Sequence, residues 1–347
     1  MLRNTSQRSE LTRESRQTPR TGKERLQASL NDFPVALPIL LEEASHGTVG
    51  SNTVLYLGYG SNLSAETFRG KRNIRPLSQI NVVVPKIALS FNLPGIPYLE
   101  PCFANSRTRV PPSEKTSQSL DYHKDHWQKG LVGVVYEVTR ADFAHIIATE
   151  GGGSGYQDVL VDCYPLSSNP RDKVPTTPTG ETFKAHTLFA PVDSGPQGRP
   201  DPSYAQPSAR YLKLITDGAA EHSLPYEYQD FLHQIRTFQL TTSKQRLGQF
   251  ILTMTWAPLF LFVFTGAAAI FLRPDGTYPP WFAAFARAMF MACWASYDGF
   301  FKPLFGDGER TIGDGQGDED YRTSEKAPLI QESIERYGIG GRLETMA

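Results

Sequence analysis

Cysteine is scarce in this chain, and what there is does not cluster. Cys102, Cys163 and Cys293 lie far apart, with no CxxC pair and no cysteine–histidine grouping. Spacing therefore supports neither a disulfide framework nor a zinc site, and it fits a reducing compartment. Net charge is nearly absent too: 35 Lys and Arg stand against 36 Asp and Glu in 347 residues. Without a global field of either sign, nucleic acid is not an expected partner. No apolar run opens the chain, so no secretory signal is expected. His123 and His126 sit three apart in a polar segment without a matching second pair of ligands at metal-site spacing, so neither a metal nor a cofactor is expected.

What is present divides the chain. Residues 1–45 begin with spaced arginines and interleaved acids and read as a disordered tail. Residues 46–240 read as one domain. Strand-like runs at 53–59 and 80–90 flank a short polar helix, and 92–129 is rich in proline and polar groups and reads as a long loop. A β-branched strand at 131–138 leads into a short helix, and further strands are expected at 159–164 and 182–189. Two helices follow, one after Pro207 and Ser208 with Tyr211, Leu214 and Ile215 on one face, the other from Pro225. The composition then changes. Residues 250–272 carry no charge, and 23 helical residues at about 1.5 Å each would cross roughly 30 Å of hydrocarbon. A transmembrane helix over 248–273 is expected, which makes a membrane a partner. Residues 280–305 are apolar but hold Arg287 and Asp298, so an interfacial helix and a second span both stay open. Residues 306–347 read as a disordered acidic tail.

Two places carry candidate chemistry. In the first, Tyr56, Leu57, Gly58, Tyr59, Gly60, Ser61 and Asn62 run from a strand through glycines into good helix caps. Such a turn can aim several N–H groups at a carboxylate or an oxyanion beside a positive helix end. It can equally be an ordinary strand-to-helix turn, and residues alone leave that open. The spacing is not that of a nucleophile elbow or a phosphate loop, so Ser61 is not read as a nucleophile. The second is Glu150. The helix from Thr139 carries Phe143, Ile146 and Ile147 on its apolar face, and Glu150 is next on that stripe, before three glycines. Burial and the negative helix end would both raise its pKa, as suits a general base. A carboxylate swung out into solvent is the alternative.

Together these residues resemble the γ-glutamylcyclotransferase family. The likeness rests on the turn at Tyr59–Leu63, the strand 130–138, the run Asp142, Glu150, Gly151, Ser154, Gly155 and Tyr156, and the segment from Pro207 through Tyr211 and Glu221 to Tyr228. It covers roughly residues 53–237. It implies an α+β fold, a mixed β-barrel-like sheet with flanking helices, and an enzyme that releases 5-oxoproline from a γ-glutamyl amide. It makes Glu150 the catalytic acid/base, and Tyr56–Asn62, Tyr156 and Tyr211 the substrate-binding residues. The interval from Glu150 to Tyr156 is about a residue shorter than the family's, which leaves Tyr156 less secure. The membrane segment resembles a fungal, membrane-attached branch, with the catalytic domain facing the cytosol. Two other readings stand beside it: a membrane-tethered protein that binds a γ-glutamyl ligand without catalysis, and a cyclotransferase for γ-glutamyl amines or glutathione conjugates of secondary metabolism.

Overall fold

The strand that organises the molecule is β-branched along most of its length, which favours a pleated surface packed on both sides. In the computed structural model, which describes residues 2–33, 53–109, 127–149, 157–189, 204–263, 268–271 and 278–313, this is β5 (Leu131–Thr139). It pairs antiparallel with β1 (Thr53–Gly58) on one side and β2 (Ser78–Val84) on the other. β6 (Gln157–Pro165) joins β2, β7 (Phe183–Phe189) joins β6, and β7 meets β1 in parallel at Tyr56 and His186. The result is a closed barrel in the order β1-β5-β2-β6-β7. Closure leaves little room at the β5–β1 seam. A Cβ on Gly133 would fall 2.6 Å from the Gly58 carbonyl oxygen, so only glycine lets the two backbones approach there.

The run expected at 80–90 breaks at Pro85 and Lys86. Its second half belongs to β3 (Ile87–Ile96), which pairs with β4 (Glu100–Thr108) in a separate ribbon. The long loop expected at 92–129 is therefore strand over its first third, and residues 110–126 lie outside the described residues. Pro94 and Pro97 argued for a loop. A two-stranded ribbon has free edges, so it tolerates the missing donor that a central strand would not.

α3 (Arg140–Thr149) leaves the end of β5 and buries Phe143, Ile146 and Ile147. After β7, Ser208 caps α4 (Ala209–Glu221) by accepting from the Tyr211 N–H, and Pro225 caps α5 (Tyr226–Gln234). The expected tail at 1–45 is instead helical over much of 2–33. α1 (Leu2–Gln17) rests against α4 through the Arg8–Asp217 ion pair, and α2 (Lys23–Ala28) reaches Thr53 and Glu137 through Arg25. These contacts are polar, which is why hydrophobic pattern did not show them.

The transmembrane helix expected over 248–273 is unsupported among the described residues, which leave out 264–267, 272 and 273. α6 (Ser243–Leu261) begins five residues earlier, at a capping box between Thr242 and Gln245, and buries Leu252 against the ribbon. A short α7 (Ala268–Phe271) follows, then α8 (Pro280–Ser296), a π-helical turn at Tyr297–Phe301 and α9 (Lys302–Phe305). Among the described residues, no helix is long and apolar enough to cross a membrane. Residues 306–313, expected to be disordered, are packed: Glu309 and Arg310 are buried, and Gln245 donates to the Asp307 carbonyl at 2.7 Å.

Candidate active site

β1 ends at Gly58, and the chain turns at Tyr59 and Gly60 into a single 3-10 turn, Ser61–Leu63. Side chains from three elements hold this turn from behind. Tyr56 accepts a hydrogen bond from Asn62 Nδ2 at 2.8 Å, and Tyr136 of β5 donates to the Asn62 carbonyl at 3.2 Å. His222, just past α4, directs Nε2 at the Leu63 carbonyl at 3.1 Å and lies 2.9 Å from the Tyr136 hydroxyl. Glu221 accepts from the Ala65 N–H at 2.7 Å and from Thr12 of α1 at 3.2 Å. Gly218 brings α4 close enough that a Cβ there would sit 2.4 Å from the Leu63 carbonyl carbon.

The front of the turn is different. The N–H groups of Leu63 and Ser64 are spent on the Gly60 and Ser61 carbonyls, whereas those of Gly60 and Ser61 meet no acceptor among the described residues. Tyr211 of α4 stands over this opening. Its hydroxyl would be 3.4 Å from a Cβ on Gly60, and it accepts from the Ala104 N–H of β4 at 3.1 Å, with its ring edge-on to Phe103. Tyr59 points away, donating to Ser106 at 3.3 Å and lying 3.5 Å from the Leu188 carbonyl oxygen. Thus Tyr56, Gly60, Ser61, Asn62 and Tyr211 come together, Leu57 is buried in the barrel wall, and Gly58 keeps Tyr136 at contact distance.

The electrostatics follow from burial. His222 is held down to about 4 by desolvation, so it is a neutral donor near pH 7. Burial raises the Glu221 carboxyl, opposed by the hydrogen bonds from Ala65 and Thr12. Burial likewise drives the Tyr136 phenol well above its ordinary value, so it stays a donor. Among the described residues, no group of three His, Cys, Asp or Glu side chains is arranged to hold a metal ion.

Glu150, Tyr156 and the glycines between them lie outside the described residues. Their neighbours are described. α3 sets off from Thr139, which pairs with Thr53 at the start of β1, and Phe143 passes against Tyr56 and His186. At the far end of α3 the Arg72 guanidinium donates to the Thr149 hydroxyl.

Known proteins place this arrangement. Over 264 residues the chain is 30% identical to the γ-glutamyl cyclotransferase aclK of Aspergillus oryzae, covering 74% of this chain and 90% of that protein. The chain belongs to the γ-glutamyl cyclotransferase family. It is also 28% identical to the γ-glutamyl cyclotransferase gliK of Aspergillus fumigatus, over 74% of this chain and 89% of that one. A family described as the AclK C-terminal domain matches residues 242–304, the segment from the α6 cap to α9. Among solved structures, one titled γ-glutamyl cyclotransferase is 21% identical with a TM-score of 0.38, covering 55% of this chain and 92% of that one.

Family resemblance had picked out the turn and Tyr211, but not what holds them. Tyr136 was read only as part of a strand, and His222 not at all. Each becomes informative once the barrel register puts Tyr136 opposite Tyr56 and α4 ends beside Leu63. Also unexpected is the pair His186 and Asp158, whose side chains are both buried, with Nδ1 2.9 Å from Oδ2 and the imidazole ring edge-on to Phe143. Their strands are antiparallel neighbours, a relation that local sequence does not carry.

Proposed function

We propose that this protein converts a γ-glutamyl amino acid or peptide into 5-oxoproline and the free amine, with Glu150 as the general acid and base. The carrying observation is the pair of N–H groups at Gly60 and Ser61 that meet no acceptor among the described residues, with the Tyr211 hydroxyl beside Gly60 and Phe143 of α3 packed against Tyr56. The substrate brings an α-ammonium, an α-carboxylate and a γ-amide. Glu150 takes a proton from the ammonium, since only the free amine is a nucleophile. The amine nitrogen then bonds to the γ-carbonyl carbon and closes a five-membered ring. The negative charge that develops on the carbonyl oxygen is met by the N–H groups of the turn. Glu150 returns the proton to the departing nitrogen as the γ-carbon–nitrogen bond breaks. Holding both reacting atoms in one molecule supplies the proximity that attack by bound water would lack.

Two substitutions test the roles. Glu150→Gln in the full chain should keep its unfolding midpoint and lose 5-oxoproline release by at least about 100-fold, the scale of a general acid/base. Undiminished turnover would remove Glu150 from the mechanism. Ser61→Ala should lower the rate without abolishing it, because the proposed contact is through main-chain N–H. If it is as inactive as Glu150→Gln, the serine hydroxyl is the nucleophile and the scheme is wrong. A panel of γ-glutamyl amino acids, γ-glutamyl amines and glutathione conjugates, read by the same product, separates the substrate classes.

A further inference from the structure

The geometry points to a lipid surface as the partner of the helical hairpin formed by α6 and α8. Near its base the hairpin is part of the protein. Leu252 packs with Tyr98, Trp294 and Tyr297, Gln249 donates to the Tyr98 carbonyl at 2.8 Å, and Trp294 donates to that of Gly95 at 3.1 Å. Beyond Leu252 this changes. Val263, Phe282 and Met289 form a small core of their own, walled by Trp256, Phe260 and Phe271, with no barrel residue in it. Among the described residues, this small core is built from the hairpin's own side chains.

Its outward surface is apolar. Phe250 is 62% exposed, Phe262 68% and Ile270 77%, and Trp281 is 57% exposed on the facing arm. From Gln249 to Val263 there is no charged residue, and from Pro280 to Tyr297 only Arg287. An apolar cleft of about 360 Å³ opens at this end, lined by Phe262, Ile270, Phe271, Trp281 and Phe285 among others. A helix facing water carries a polar stripe, and contiguous apolar surface of this kind marks a contact.

Two features favour hydrocarbon over a protein partner. On α6, the exposed Met254 and Leu259 lie about 140° apart around the helix axis. One docking protein covers one face, whereas acyl chains cover every face. Lys244 and Arg246, both exposed, form a cationic step where α6 leaves the barrel, directly below the apolar surface. That order along the axis matches anionic headgroups followed by hydrocarbon. Arg287 has a stem long enough to bring its charge to the interface. The inference concerns embedding of the hairpin as a unit, since neither described arm is long and apolar enough to cross a bilayer by itself.

The test uses the full chain, freed of detergent, with vesicles of phosphatidylcholine alone or with phosphatidylserine. The chain should float with both, about tenfold more tightly with phosphatidylserine at low salt. Bromine on the lipid acyl chains should quench its tryptophan fluorescence, and Trp281→Phe should lose most of that quenching. Met254→Glu with Phe262→Asp, both at exposed positions, should cut flotation at least tenfold with the unfolding midpoint kept. Lys244→Glu with Arg246→Glu should remove only the phosphatidylserine preference. A chain that stays at the bottom of the gradient with both vesicle types overturns the inference. So does a stable dimer without lipid that the Met254 and Phe262 substitutions convert to monomer, since the surface is then a contact between copies. Release of 5-oxoproline is measured separately, so the two proposals fail independently.

Discussion

His222 shows how much one buried ring can impose on its surroundings. Its Nε2 faces the Leu63 carbonyl, which assigns the proton to that nitrogen, and its Nδ1 has no hydrogen-bond partner among the described residues. A proton on Nδ1 would be a buried charge, and burial holds the folded pKa near 4 against an ordinary value of 6.5. The sign of the consequence is fixed. Between about pH 6.5 and 4 the unfolded chain binds a proton that the folded chain does not, so stability falls as pH falls through that window. The loss attributable to His222 is of order 3 kcal/mol at most. Urea unfolding at pH 7, 5.5 and 4 checks it: wild type should lose more stability on acidification than His222→Asn. Equal losses would mean that His222 titrates normally.

Among the elements, α4 governs the turn by closeness. Gly218 sits where any side chain would strike Leu63 and Ser64, both main chain and Cβ. Gly218→Ala must therefore push α4 off the turn or shift the turn itself. Overpacking of this kind costs about 1–3 kcal/mol. The expected result is a lowered denaturation midpoint together with a reduced kcat/KM for 5-oxoproline release. A variant as active as wild type would show that the turn tolerates displacement. The β3–β4 ribbon also reaches the site, through Ala104 and Phe103 at Tyr211, while its far end at Gly95 and Tyr98 meets α8 and the 306–308 segment. Residues of the AclK-type segment thus bear on a ribbon that also walls the site. Pro94 and Pro97 hid this ribbon from a reading by composition, because its pairing depends on a partner strand and not on local preference.

For the molecule as a whole, the segments outside the barrel are clasps. Residues 2–33, with helices α1 and α2, hold α4 through Arg8 to Asp217 and Thr12 to Glu221, and the barrel through Thr21 to Ser78, Arg25 to Thr53, and Ser29, which accepts from the Lys184 N–H. Leu11 is the one large apolar side chain of these helices that is buried, among the described residues. Deleting residues 1–33 should cost about 2 kcal/mol and lower Tm by roughly 4–8 °C, read by calorimetry on the full and shortened chains. An unchanged Tm would return the segment to the status of a tail.

What the amino-acid sequence determined by itself was whatever is written in local pattern. Examples are the strand at 131–139, the buried stripe of Phe143, Ile146 and Ile147, the Ser208 cap, and the glycine-rich turn at Tyr59–Leu63. Strand alternation, helix periodicity and capping act over a few residues, so a few residues suffice to read them. The tertiary structure decided the rest: that the five strands close, that Tyr136 and His222 meet behind the turn, and that polar helices clasp the barrel. It also seated the base of α6 on the β3–β4 ribbon through Leu252. Those outcomes depend on which distant groups become neighbours, and hydrogen bonds and ion pairs between them leave no period in the chain.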